Sequence, residues 1–199
     1  MKNSFQTYGA EVLGTAFLTF TVLIALTHSL PVPTPLLAGI TLGFLVYVIG
    51  PVSGAQVNPA VTIGLWSVGK MKPLVTVKYI IAQIVGAVFA LELFLLLGGI
   101  LPNVPAQNSL VTGVGEALGA GVLVTGVSAV VYGMAKETST GLTVGTALFL
   151  GALLASSMGN GIVNPAVAFG VGAWSLPYLV GPLLGGVIAA AVYRWIIGK

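Results

Sequence analysis

The chain has 199 residues, 57% hydrophobic and 6% charged, with a formal net charge of +3 and no cysteine. A water-soluble domain carries about 25% charged residues, so this composition cannot build a water-facing surface of ordinary polarity, and the apolar residues must face lipid. Disulfides and thiolate metal sites are excluded, and the scattered basic residues form no nucleic-acid-binding patch.

At roughly 20 apolar residues per span, the length allows about six spans with short connections. That makes one membrane domain over 1–199, with no room for a separate soluble enzyme. The N-terminal segment, Met1 to about Leu30 with its apolar stretch at 10–27, resembles a signal peptide only superficially. Its apolar run is too long and no small-residue cleavage site ends it cleanly, so it reads as the first span. Further spans are predicted at 36–50, 79–101, 113–134, 143–157 and 176–197. All are helices, because lipid offers backbone groups no water and strict period-2 alternation, the barrel pattern, is absent. Gly115 and Gly119, like Gly181 and Gly185, stand at the four-residue spacing that lets helix backbones approach.

Two apolar stretches are too short to cross. NPAVTIGLWSVG opens at Asn58 and NPAVAFGVGAWS at Asn164. At about ten residues each, they suit half-membrane helices. Irregular backbone at membrane depth is tolerated only when buried in protein or lining a wet cavity, which argues for a pore or a transporter site.

With six spans and two half-helices, Lys2, Lys70, Lys72, Lys78, Lys136, Arg194 and Lys199 all fall on one side. The opposite connections carry no Lys or Arg. The positive-inside rule then predicts an integral protein of the cell membrane with both termini cytoplasmic.

The two halves, about 1–100 and 106–199, repeat each other. AEVLGTAFLTF matches GEALGAGVLVT, pairing Glu11 with Glu116 at an offset of 105, and the NPA boxes pair Asn58 with Asn164 at 106. Three spans and one half-helix per unit is an odd number, so the second unit is inverted. Inverted repeats meet at the midplane, where broken helices build permeation sites. Each box puts Asn at a helix N-cap and Pro at N1, where its missing N–H costs nothing: Asn58, Pro59, Ala60 and Asn164, Pro165, Ala166.

On these boxes, with AEVLGT, SGAQVNPAVT, YIIAQIVGA and VGPLLGG, the chain resembles the major intrinsic proteins, the aquaporins and aquaglyceroporins, over essentially its whole length. The resemblance implies an all-α membrane fold of six helices and two re-entrant half-helices in an inverted three-plus-three repeat. It implies a passive pore for water and small uncharged solutes, without enzymatic activity or cofactor, assembled as a homotetramer. Asn58 and Asn164 would donate amides to passing water. Carbonyls of Gly54, Ala55 and Gln56 and of Asn160, Gly161 and Ile162 would form an acceptor ladder. Glu11 and Glu116 would hold the re-entrant loops through backbone N–H groups, since an unpartnered carboxylate at mid-span costs about 2.5–3.5 kcal/mol.

The sequence departs from the family pattern at the outer constriction. The second box reads NPAV where the family usually has NPAR, placing Val167 in the Arg position. Ungapped spacing carries the other filter positions onto Ala38, Ala152 and Gly161. The quartet is small and without polar side chains, which predicts a wider, more apolar filter holding one positive charge fewer. Apolar constrictions can also close by dewetting. Gln56 stands where the family usually has His. Ala168 lacks the Asp typical of glycerol facilitators, Leu179 looks glycerol-like and Tyr178 water-like, so the solute stays open. Glu92 has no repeat partner and no assigned role, and His28 reads as an interfacial loop residue. Two other readings stand beside the pore: a non-conducting structural membrane protein, and a secondary transporter, which also uses inverted repeats.

Overall fold

The computed structural model describes residues 4–105 and 107–199; Lys2 lies outside them. Six long helices form the bundle: α1 (Ser4–Thr27), α2 (Thr34–Ser53), α4 (Pro73–Leu96), α5 (Leu110–Val131), α6 (Thr140–Ser156) and α8 (Leu176–Ile196). Two short ones, α3 (Pro59–Ser67) and α7 (Pro165–Gly170), interrupt it, and no strand occurs among the described residues. At about 1.5 Å per residue, and with the 3-10 turn Glu137–Ser139 continuing into α6, the six spans run about 30–36 Å, enough to cross a hydrocarbon layer of about 30 Å.

Several boundaries differ from expectation, each for a local reason. α4 begins at Pro73 rather than 79, because Pro73 takes N1 behind the extended Lys72 and the helix absorbs Lys78. α2 runs through Pro51 to Ser53, ending where Gly54 adopts φ +89° and its N–H bonds to the carbonyl of Gly50. α5 starts three residues early, because Ser109 caps it by accepting from the N–H of Thr112. α7 is shorter than expected, six residues instead of about ten. Gly172, at φ +79°, turns the chain, and Trp174 folds back with its ring 4.1 Å from that of Phe169.

The packing follows the repeat. α1 pairs with α4 and α5 with α8, while α2 and α6 join the two halves. Backbones touch at the crossings. A Cβ on Gly86 would strike the carbonyl of Val12, and one on Gly185 the carbonyl of Ala117. The stubs are exchanged: α3 of the first half packs on α8 of the second, and α7 of the second on α4 of the first. The basic residues gather at one end. Lys70 Nζ lies 4.1 Å from the Tyr132 ring centroid, Lys78 Nζ 5.8 Å from that of Tyr8, and Arg194 Nη1 donates to the carbonyl of Val68.

Candidate functional site

Each NPA box caps its stub. Asn58 is extended, with its Oδ1 accepting from the N–H of Ala60 at 2.8 Å; Asn164 does the same for Ala166 at 3.0 Å. The remaining amides tie the stubs together. Asn58 Nδ2 donates to the carbonyl of Val163 at 3.0 Å, and Asn164 Nδ2 to that of Val57 at 2.9 Å. The two tips are therefore joined by a reciprocal brace of one bond from each repeat.

The residues before each cap bend sharply. Ala55, Val57 and Val163 hold φ of +48°, +42° and +49°. This left-handed region costs a non-glycine residue about 1–2 kcal/mol. The buried carboxylates offset it. Glu116 accepts from the N–H of Ile162 at 3.0 Å and from that of Val163. Glu11 accepts from the N–H groups of Gln56 at 3.0 Å and Val57 at 2.8 Å, and additionally from Ser53 Oγ at 2.6 Å and Gln83 Nε2 at 2.9 Å. Gln83 also donates to Thr62, and Tyr79 Oη to the carbonyl of Ser53. The sequence reading missed Ser53, Tyr79 and Gln83. A polar side chain inside a span was the available signal.

A cavity of about 320 Å³ opens on the α7 side. Ala38, Ala152, Gly161 and Val167, brought from α2, α6, the second loop and α7, all line it, as do Asn164, Asn160 and Ile162. Gly54, Ala55 and Gln56 are not among its lining residues. Gly161 differs in one respect from a small filter side chain. A Cβ there would run into the carbonyl of Ala152 and Ser156 Oγ, so the wall at this point is backbone and admits no side chain. Asn103, Val104 and Pro105 also line the cavity, and Asn160 Nδ2 donates to the carbonyl of Pro105 at 3.0 Å. These three sit in a connection read from sequence only as lacking charge. Among the described residues, no three His, Cys, Asp or Glu side chains converge as a metal site would need.

The major intrinsic protein family model matches residues 1–193. Aquaporin AqpM of Methanothermobacter thermautotrophicus is 31% identical over 96% of each chain. Aquaporin Z of Rhodopseudomonas palustris is 32% identical over 94% of this chain and 91% of that one. The aquaglyceroporin of Plasmodium falciparum, 22% identical, superposes with a TM-score of 0.72 over 98% of this chain and 97% of that one, a likeness of fold. Six spans, two exchanged stubs and a match over nearly the full length converge: this chain belongs to the major intrinsic protein family.

Proposed function

We propose that this integral membrane protein conducts water together with small uncharged solutes such as glycerol, urea, ammonia or gases, through a wide apolar outer constriction. Its family makes it a passive channel for water and small solutes, not an enzyme. The observation that carries the wider selectivity is the cavity in which Ala38, Ala152, Gly161 and Val167 meet without a polar side chain among them.

Past that constriction, the path leads to the stub tips. A helix N-terminus presents roughly half a positive charge, which at about 4 Å and an effective dielectric near 20 repels a monovalent cation by about 2 kcal/mol. Two tips together oppose it by about 4 kcal/mol, before the ion's dehydration is counted. Water and neutral solutes meet no such barrier. Each box amide has one N–H engaged in the brace, leaving its second N–H for a passing molecule. With Val167 in place of an arginine, ion exclusion rests on these tips.

The gathering of Lys70, Lys78 and Arg194 at one end of the bundle supports cytoplasmic termini in a cell membrane. A homotetramer with one pore per subunit follows from the family resemblance, and cross-linking in membranes would test it.

Stopped-flow light scattering on proteoliposomes tests the selectivity. Wild type is expected to pass water, glycerol, urea and ammonia, and Val167→Arg to narrow that range, losing glycerol first. If glycerol flux were unchanged while water alone fell, Val167 would not stand in the constriction. Water permeability equal to that of empty vesicles would favour a non-conducting protein, and saturable, gradient-dependent uptake a transporter.

A further inference from the structure

The connection between α4 and α5, 97–109, is fastened to the second repeat at Leu101, Pro105 and Gln107. Leu101 packs on the turn beyond α7, where a Cβ added to Gly172 would stand 3.2 Å from Leu101 Cδ2. Asn160 Nδ2, from the second re-entrant loop, donates to the carbonyl of Pro105 at 3.0 Å. Gln107 is held from the starts of two helices: Ser175 Oγ donates to its carbonyl at 3.1 Å, and Thr112 Oγ1 to its Oε1 at 3.0 Å.

Between these holds the chain is stiff by composition. The rings of Pro102 and Pro105 fix φ, and a residue that precedes proline is pushed toward extended backbone, here Leu101 and Val104. The N–H of Val104 donates to the carbonyl of Pro102 at 2.9 Å, bending the chain tightly at Asn103. One side chain is turned inward as a result. Asn103 and Pro105 are exposed, whereas Val104 between them is half-buried and packs against the apolar core to which Ala38, Ala152 and Val167 belong. Val104 and these three line the same cavity.

We propose that Val104 is a specificity-determining residue, a fifth wall of the outer constriction that sets the largest solute admitted, with Asn160 as its positioning residue. This assignment rests on the reading of the chain as a channel for water and small uncharged solutes. The other four positions leave the opening wide. Two are alanines, and the third is a glycine whose site admits no side chain. Among the five positions, Val104 and Val167 alone carry more than a methyl group. An apolar wall offers a solute no hydrogen bond, so it discriminates by size, and one methyl group more or less decides about tenfold. Water, the smallest solute, feels the change least. Pro105 follows Val104 directly, so the bond from Asn160 holds the valine at its depth in the cavity.

The test measures glycerol and water flux by stopped flow in the same proteoliposomes, so that their ratio is independent of the amount of protein inserted. Val104→Ala should raise the glycerol-to-water ratio about tenfold, and Val104→Phe should lower it by a similar factor. Either variant decides the matter if the other does not fold. Asn160→Ala should also raise the ratio, but it alters the cavity wall as well, so the double variant isolates the positioning role. With the connection loosened, Val104→Ala should add less than it does to wild type. Ser175→Ala, which frees Gln107 from outside the cavity, should shift the ratio in the same direction. A ratio unmoved by the Val104 variants, or moved the same way by both, would overturn the proposal. Strict additivity of Val104→Ala and Asn160→Ala would overturn the role of Asn160. If Val167→Arg narrowed the solute range while the Val104 variants did nothing, the wide filter would stand and the fifth wall alone would fall. Wild-type vesicles no more permeable than empty ones would instead sink the channel reading, and the fifth wall with it.

Discussion

Glu11 and Glu116 occupy matched positions but unequal surroundings. Glu11 gathers four donors, from Ser53, Gln56, Val57 and Gln83; Glu116 holds the N–H groups of Ile162 and Val163. Removing a buried acceptor leaves its donors unsatisfied at about 1–3 kcal/mol each, so Glu11→Ala should destabilise by about twice as much as Glu116→Ala. Unfolding of the purified variants in detergent, followed by circular dichroism, reads the ratio, and equal losses would refute the donor count. The pair of carboxylates was legible in the sequence because a charge inside a span demands a partner. Their inequality was not. Gln83 is 72 positions from Glu11, and which helix face meets the first loop is decided by packing rather than by local pattern. Gly161 is a similar case. Spacing reads it as a filter position and it lines the cavity, but only the approach of Ala152 and Ser156 reveals that no side chain fits there.

At the scale of elements, the spans were legible because hydropathy and length dominate in lipid, and their ends were less so. Lys72 and Pro73 look like loop in sequence, yet Pro suits N1 and a lysine stem lies along apolar surface with its head in water. α7 ends early because glycine and tryptophan contacts beyond it outcompete helix continuation. The helix crossings rest on backbone contact. Gly185 lies against Ala117, so even one methyl there forces α5 and α8 apart. Gly185→Ala should lose about 1–3 kcal/mol through overpacking. Gly9→Ala, in α1 with nothing within 4 Å of the added carbon, should be neutral or slightly stabilising. Thermal unfolding of both variants checks this, and an equal response would show that close approach does not set the α5–α8 crossing.

For the whole molecule, the decisive feature is the exchange of stubs between repeats. Each half carries the stub that packs on the other half's long helix, and each box Asn donates across the join. The two braces connect the same pair of tips, so neither is independent of the other. Breaking one loosens the tips and weakens what the second can contribute. Asn58→Ala and Asn164→Ala should each lose about 2 kcal/mol, from a helix cap and a hydrogen bond. The double variant should lose less than the sum, by about 1 kcal/mol, within the range seen for residues that share a network. The same loosening widens the gap between the positive tips, so each single variant should also pass more glycerol relative to water than wild type. Strictly additive stabilities with an unchanged solute ratio would mean that the tips are held by the packing of α3 on α8 and α7 on α4 alone, and that the reciprocal bonds are incidental to the aperture.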